Sequence, residues 1–173
     1  MTVIVTNRLV LRPPVPGDVE AFLAYSASPR WTRERGEQPL WQRWSYFANL
    51  LGHWQLRGWG RFIVTDRATG RLMAHIGPLY PEGWPEPEIA WHLWHDADEG
   101  QGFATEAARA ALTHAFRDLG WTTAVSYVAE TNAASAGVAK KLGAMIDPAA
   151  SAPAYAPDVR INVWRHPAPG ARA

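Results

Sequence analysis

Glu88-Ile-Ala-Trp-His-Leu-Trp-His-Asp-Ala-Asp-Glu-Gly-Gln-Gly-Phe-Ala-Thr-Glu-Ala107 decides how the rest of the chain is read. Residues 88–94 are bulky and predict a buried strand. Residues 95–102 are polar and end in Gly100-Gln101-Gly102. From Phe103 an alanine-rich segment carries apolar residues at 104, 108, 111, 115 and 119, which is helical spacing, and Gly120 stops it. A strand, a glycine turn and a helix N-terminus together present unpaired backbone N–H groups and the positive end of a helix dipole. Such a turn suits a phosphate or pyrophosphate.

Three kinds of phosphate loop compete for this turn. A Walker loop ends in Gly-Lys-Ser/Thr, and the first lysine of the chain is Lys140. A dinucleotide fingerprint needs a third Gly or Ala where Thr105 stands, and belongs early in a domain. Glu99-Gly-Gln-Gly102-Phe-Ala104, followed by Thr-Glu-Ala, instead resembles the acyl-CoA pyrophosphate loop of the GNAT N-acetyltransferases, with pattern Gln/Arg-x-x-Gly-x-Gly/Ala. Gly102 and Ala104 match it. Position 99 departs: a carboxylate replaces Gln or Arg, so it supplies no donor and is expected to repel phosphate.

Composition narrows the class. The 173 residues are expected to form a single domain, 1–173, with an ordered core over about 6–166. Apolar residues at 47% and charged ones at 19% are ordinary for a globular protein, whereas ten tryptophans are not, and some are expected to line a pocket. Without cysteine there is no disulfide, thiolate nucleophile or Cys-based zinc site. No apolar leader or membrane-length run occurs, so a cytoplasmic location with no membrane partner is expected. A net charge of +1 gives no reason to expect nucleic acid. Between Arg71 and Arg109, however, seven acidic residues occur without one Lys or Arg, which suggests either a cationic partner or a solvated acidic edge.

Taken in order, Arg8–Pro13 predicts a first strand, and Pro16-Gly-Asp18 starts a helix with Asp18 as N-cap, ending near Ser28-Pro29. Residues 30–39 are charged and irregular and predict a loop. Leu40, Trp44, Phe47, Leu51 and Trp54 predict the packed stripe of a long helix ending at Gly58. Residues 61–65 and 72–77 flank Asp66-Arg-Ala-Thr-Gly70 as a hairpin, and 78–87 is a proline-rich loop. After the organising strand and helix come a strand over 121–128 and a helix over 132–142. An Ala/Pro-rich stretch over 147–156 and a last strand near 159–163 follow, and the chain is expected to fray from His166.

This order predicts an α/β (α+β) fold: a central mixed, mostly antiparallel twisted sheet of about seven strands with helices on both faces. It agrees with the GNAT arrangement over nearly the whole chain. Asn7-Arg-Leu-Val-Leu-Arg-Pro and Asn132-Ala-Ala-Ser135-Ala-Gly-Val-Ala-Lys-Lys-Leu-Gly143 further resemble the branch that acetylates N-terminal amines of ribosomal proteins. The resemblance implies direct attack of an amine on acetyl-CoA, which acts as cosubstrate. It assigns the pantetheine to the backbone near Leu93 and Trp94, and the pyrophosphate to Gly100, Gln101, Gly102, Phe103, Ala104 and Thr105. Asn132 becomes a pantetheine contact and Ser135 a donor to the leaving thiolate.

Each residue also has a plainer role. Asn132 is a preferred N-cap whose side chain would accept from the N–H of Ser135, and a serine is ordinary in a first turn. Glu88 shares a strand face with Ala90 and His92; it is a candidate base for the amine, or an exposed strand-end acid. His92 and His95 point to opposite faces of a strand, so no metal site is expected. His75 is a candidate base or a hydrogen-bonded strand histidine. The sequence thus leads to an acetyl-CoA-dependent N-acetyltransferase acting on a primary amine. Proton demand favours an α-amine acceptor, of a peptide, a protein N-terminus or a small molecule, carrying positive charge. A homodimer is left open. The rival is a non-catalytic acyl-CoA-binding module, kept alive by Glu99 and by the lack of an assigned tyrosine acid.

Overall fold

The computed structural model describes residues 2–153 and 159–168. Its strands are β1 (Ile4–Val5), β2 (Leu9–Arg12), β3 (Phe62–Asp66), β4 (Leu72–Leu79), β5 (Glu88–Leu93), β6 (Val125–Ala129), β7 (Met145–Ile146) and β8 (Ile161–Arg165). The helices are α1 (Val19–Ser26), α2 (Pro29–Arg35), α3 (Leu40–Arg57), α4 (Phe103–Arg117) and α5 (Ala133–Lys141). One sheet runs β1-β2-β3-β4-β5-β6-β8-β7. Neighbours are antiparallel except β5 and β6, which are parallel and share a single register pair, Glu88 with Val125. The sheet has eight strands against the about seven expected; the two that match no segment named from the sequence are the two-residue pieces β1 and β7, too short to show alternation.

Alternation along β5 sorts the two faces. Ile89 packs with Leu9, Leu11, Phe62, Val64, Ala74 and Ile76 beneath α4, whose Ala104, Ala107, Ala108, Ala111 and Ala115 let the helix come close. On the other face Trp94 and Ile63 meet Phe22, Tyr25, Trp31, Phe47 and Leu50 from α1, α2 and α3. Helices therefore cover both faces, as the sequence implies.

Several local expectations are corrected. Residues 30–39 are not simply a loop, because Pro29–Arg35 form α2. The Ser28 hydroxyl accepts from the N–H of Trp31, Pro29 occupies the first turn, and Gly36 (φ 73°) ends the helix. Ser28-Pro29 thus opens a helix as well as closing one. The stripe of α3 is rotated: Phe47 and Leu50 are buried while Leu40 and Trp44 stand exposed. Asp18 does not cap α1 with its side chain, which instead receives Arg12 and the N–H of Val15 at the start of the preceding 3-10 turn. The strand expected over 121–128 begins only at Val125. His166 does not fray; it is buried and its Nε2 lies 2.8 Å from Ser126 Oγ. Residues 154–156 of the Ala/Pro-rich stretch, and the end beyond 168, lie outside the described residues.

Candidate active site

Beyond Glu88 and Val125, β5 and β6 part, and a cavity of about 1010 Å³ opens between them. Its lining joins Glu34, Arg35, Glu88 and His92 at one end to Gly100, Gly102, Phe103, Ala104, Thr105, Asn132 and Ser135 at the other. The hydroxyl of Ser126 donates to Ile89 O (2.6 Å) where the strands begin to separate. Residues facing a neighbouring strand alternate along β5. The N–H of Trp94 is spent on Met73 O (2.8 Å), so the peptide groups of His92 and Trp94 face β4. Those of Trp91 and Leu93 consequently face the opening, where the Leu93 carbonyl also accepts from Arg30 Nε (2.7 Å), while the Ile89 carbonyl is taken by Ser126. Trp94 itself is buried among the α1–α3 aromatics and lies outside the cavity lining. Trp91, which the sequence reading passed over, takes its place beside Leu93.

The glycine turn has the form the sequence implies. Gly100 and Gly102 sit at φ 72° and 81°, a region costly for residues with a Cβ. Gly102 is the N-cap of α4 and no side chain caps the helix, so the first-turn N–H groups of Phe103, Ala104 and Thr105 face outward. Gln101 is turned away from the cavity, its carbonyl accepting from Arg8 Nη1 (3.1 Å). Arg8 also lies over the Phe103 ring (4.3 Å to its centroid) and pairs with Glu106 (2.7 Å). It ties β2 to the phosphate-type turn.

The acidic window is not an unpaired acidic surface. Arg30 reaches Asp96 and Glu99, Arg33 reaches Asp96, Arg71 reaches Asp98, Arg8 reaches Glu106 and Arg165 reaches Glu86. The cations come from elements distant in sequence, which a window along the chain cannot register. Glu99 in particular is neutralised by Arg30 rather than left bare beside the turn.

Glu88 is buried at the closed end of the wedge. Burial pushes its carboxyl up to about 7, against the opposing pull of Arg61, the Tyr127 amide and the Trp84 indole. His92, partly buried four residues further along β5, is pushed down to about 4 by burial, although Glu34 favours its charged form. A guanidinium can only donate, so Arg35 Nη2 at 3.2 Å makes His92 Nε2 the acceptor and leaves Nδ1–H toward Glu34, 3.7 Å away. His75 is buried, and burial holds its pKa well below normal. Trp94 Nε1 donates to its Nδ1 (2.9 Å), so its Nε2–H points at the Tyr46 hydroxyl (3.3 Å). It is a structural histidine, as one of the two sequence readings has it.

Tyr46 gathers three donors on one oxygen: Arg61 Nη1 (2.7 Å), Arg35 Nη2 (3.1 Å) and His75. Burial alone would raise its pKa, yet Arg61 and Arg35 hold it below normal. Asn132 caps α5, its Oδ1 accepting from the N–H of Ser135 (2.9 Å), which is the plainer role expected of it. Ser135 Oγ accepts from Trp91 Nε1 (3.3 Å), leaving its own proton available. Arg30, Glu34 and Arg35 carry no site signal in a charged, irregular stretch, and only the helix α2 turns them toward the cavity. Tyr46 and Arg61 carry no signal in sequence separation. Among the described residues no group of three His, Asp or Glu side chains is placed to hold a metal.

The acetyltransferase (GNAT) domain model matches residues 8–145, which is most of the chain. The chain belongs to the GNAT acetyltransferase family. As a GNAT protein it falls in the transferase class as an N-acetyltransferase. An acetyltransferase from Agrobacterium tumefaciens str. C58 is 33% identical, with TM-score 0.85 over 96% of this chain and 95% of that one. Two more distant structures share the GNAT fold. The ribosomal L7/L12 alpha-N-protein acetyltransferase RimL, in complex with coenzyme A, is 16% identical with TM-score 0.74, covering 96% of this chain and 98% of that one. The ribosomal-protein-S5-alanine acetyltransferase from Vibrio fischeri is 11% identical with TM-score 0.74, covering both chains fully at 100%. No curated sequence matches the chain. No described helix is long and apolar enough to cross a membrane.

Proposed function

We propose that this GNAT protein transfers the acetyl group of acetyl-CoA directly to a primary α-amine, of a peptide, a protein N-terminus or a small molecule. The observation that carries this reading is the wedge itself. It runs from an ionisable carboxyl, Glu88, past the edge-facing peptides of Trp91 and Leu93, to the uncapped N-terminus of α4. A thioester arm needs peptide partners along its length, and a pyrophosphate needs converging N–H donors. Both are available in one continuous cavity.

The residues divide the work by chemistry. The peptides of Trp91 and Leu93 pair with the amide-bearing arm, and the N–H groups of Phe103 to Thr105, with Gly100 and Gly102 giving close approach, hold the pyrophosphate. Asn132 spends its Oδ1 on the α5 cap and keeps Nδ2 for the arm. Ser135, held through its oxygen by the Trp91 indole, keeps its proton for the departing thiolate. Glu88, near half ionisation at neutral pH, takes the ammonium proton directly or through water. An α-amine near pKa ~8 needs no stronger base, whereas a lysine amine near ~10.4 does.

The test is a melting and turnover screen. Acetyl-CoA should raise the melting temperature with concentration, and NAD should not. With a panel of amines, free coenzyme A should appear as the α-amine acceptor is consumed. Binding without turnover on any amine would favour a non-catalytic acyl-CoA module instead.

A further inference from the structure

The three cavity-lining arginines of α2 are not equivalent. Arg30 is saturated by Asp96, Glu99 and Glu34, and Arg33 pairs with Asp96. Arg35 makes no ion pair among the described residues. Its two hydrogen bonds, to Tyr46 Oη and His92 Nε2, both leave from the same nitrogen, Nη2. Nε and Nη1, the other edge of the guanidinium fork, make no bond among the described residues and are not sealed from solvent. The plane of the fork is held by two rings, Trp31 (5.2 Å) and Tyr46 (4.8 Å). A rigid guanidinium edge with two parallel N–H groups is the geometry that recognises a carboxylate.

The surroundings add to this charge. Arg61, only 5% exposed, lies behind Arg35, donates to the same phenol oxygen, makes no ion pair among the described residues and leaves its Nε without a partner. Glu88, the carboxyl within its pull, makes no ion pair with it among the described residues and is near half ionisation at neutral pH, so a ligand anion nearby offsets part of the cost of burying this cation. Glu34, the nearest acid in sequence, is engaged by Arg30 and His92.

We propose that Arg35, backed by Arg61, binds a carboxylate carried by the acceptor, so that the substrate is an amine with a carboxylate on the same molecule. The inference rests on the α-amine reading above and gives that acceptor a second recognised group. Glu88 and His92 stand four residues apart on one face of β5, about 13 Å along the strand. Arg35 Nη2 bonds the His92 end of that span, so a carboxylate on its open edge lies apart from an amine served by Glu88 while the Arg35 charge still reaches Glu88, an arrangement that an acidic side chain near a peptide N-terminus matches.

Two matched pairs of acceptors test it: alanyl-glutamate amide against alanyl-glutamine amide, and alanine against alaninamide. The native protein should favour the side-chain carboxylate in the first pair by at least about tenfold in kcat/KM, a gap of roughly 1.4 kcal/mol. Arg35→Gln should bring that ratio to near one while leaving the KM for acetyl-CoA unchanged, and Arg35→Lys should restore part of it. A preference confined to the alanine pair that Arg35→Gln abolishes would assign Arg35 to an α-carboxylate, keeping the carboxylate inference. Ratios near one in both pairs for the native protein, or a preference that survives Arg35→Gln, would overturn it while leaving α-amine acetylation intact. Absence of turnover with every amine would overturn both.

Discussion

Glu99 accepts from Arg30 Nη1 at 2.6 Å, and the same nitrogen reaches Asp96 at 2.7 Å while Arg30 Nε holds Leu93 O. One guanidinium therefore fastens α2 to the end of β5 and cancels the acid that stands where the family pattern has a donor. Glu99→Gln should leave acetyl-CoA affinity unchanged or slightly tighter, since Arg30 keeps Asp96 and Glu34. Arg30→Met should do the reverse: Glu99 loses its partner beside the turn while Asp96 keeps Arg33, and affinity should fall severalfold. Losing the charge-assisted bond to Leu93 O should also cost about 1.5–3 kcal/mol of stability. Calorimetric titration and melting curves on the two variants check both signs.

Gly102→Val places a branched side chain at φ 81°, where open space surrounds the new Cβ apart from Arg8 at 3.6 Å. The cost is conformational rather than steric, roughly 1–2 kcal/mol. The variant should fold with a lowered melting temperature and lose acetyl-CoA binding. Retained affinity in a folded Gly102→Val protein would place the pyrophosphate elsewhere.

Glu88 links stability to pH in a definite direction. Its carboxyl titrates at about 7 when folded and near its ordinary 4.5 when unfolded. Its stabilising contribution is thus complete below about pH 4.5 and is lost as pH rises to about 7, a change of about 3 kcal/mol. Glu88→Gln never acquires the buried charge. It should melt above the native protein at pH 8, with the difference closing by pH 5. Its acetylation rate should fall most near neutrality and least at high pH, where the amine arrives neutral. A uniform loss across pH would make Glu88 a binding residue.

Asn132 and Ser135 separate a cap from a proton donor. Asn132→Ala should cost about 1 kcal/mol of stability through the lost α5 cap. Ser135→Ala keeps the backbone N–H that Asn132 receives, so it should change stability little and lower turnover more than cofactor affinity. Stopped turnover assays alongside melting curves distinguish the two; unchanged turnover in Ser135→Ala would leave it only a first-turn residue.

The sheet, α4 and the turn at Gly100–Gly102 were legible because their signals are local: alternation, a four-three apolar repeat and glycines at positive φ. The α5 cap was legible for the same reason. Arg35, Tyr46 and Arg61 were not, because each matters only through a partner brought close by folding. The acidic window does not show its own counter-charges for the matching reason: Arg8, Arg30 and Arg165 come from both ends of the chain. The exposed Trp44 shows a further limit. Periodicity gives the width of an apolar stripe on α3, but packing against Phe22 and Ile63 sets which edge of it is buried.

The single register pair between Glu88 and Val125 leaves β5 bonded on one side only for most of its length. Amide hydrogen exchange should therefore alternate along this strand in the empty protein. The N–H groups of His92 and Trp94, locked to β4, should exchange slowly, and those of Trp91 and Leu93 quickly. A ligand that fills the wedge as an eighth-and-a-half strand would erase the alternation, slowing Trp91 and Leu93 alone.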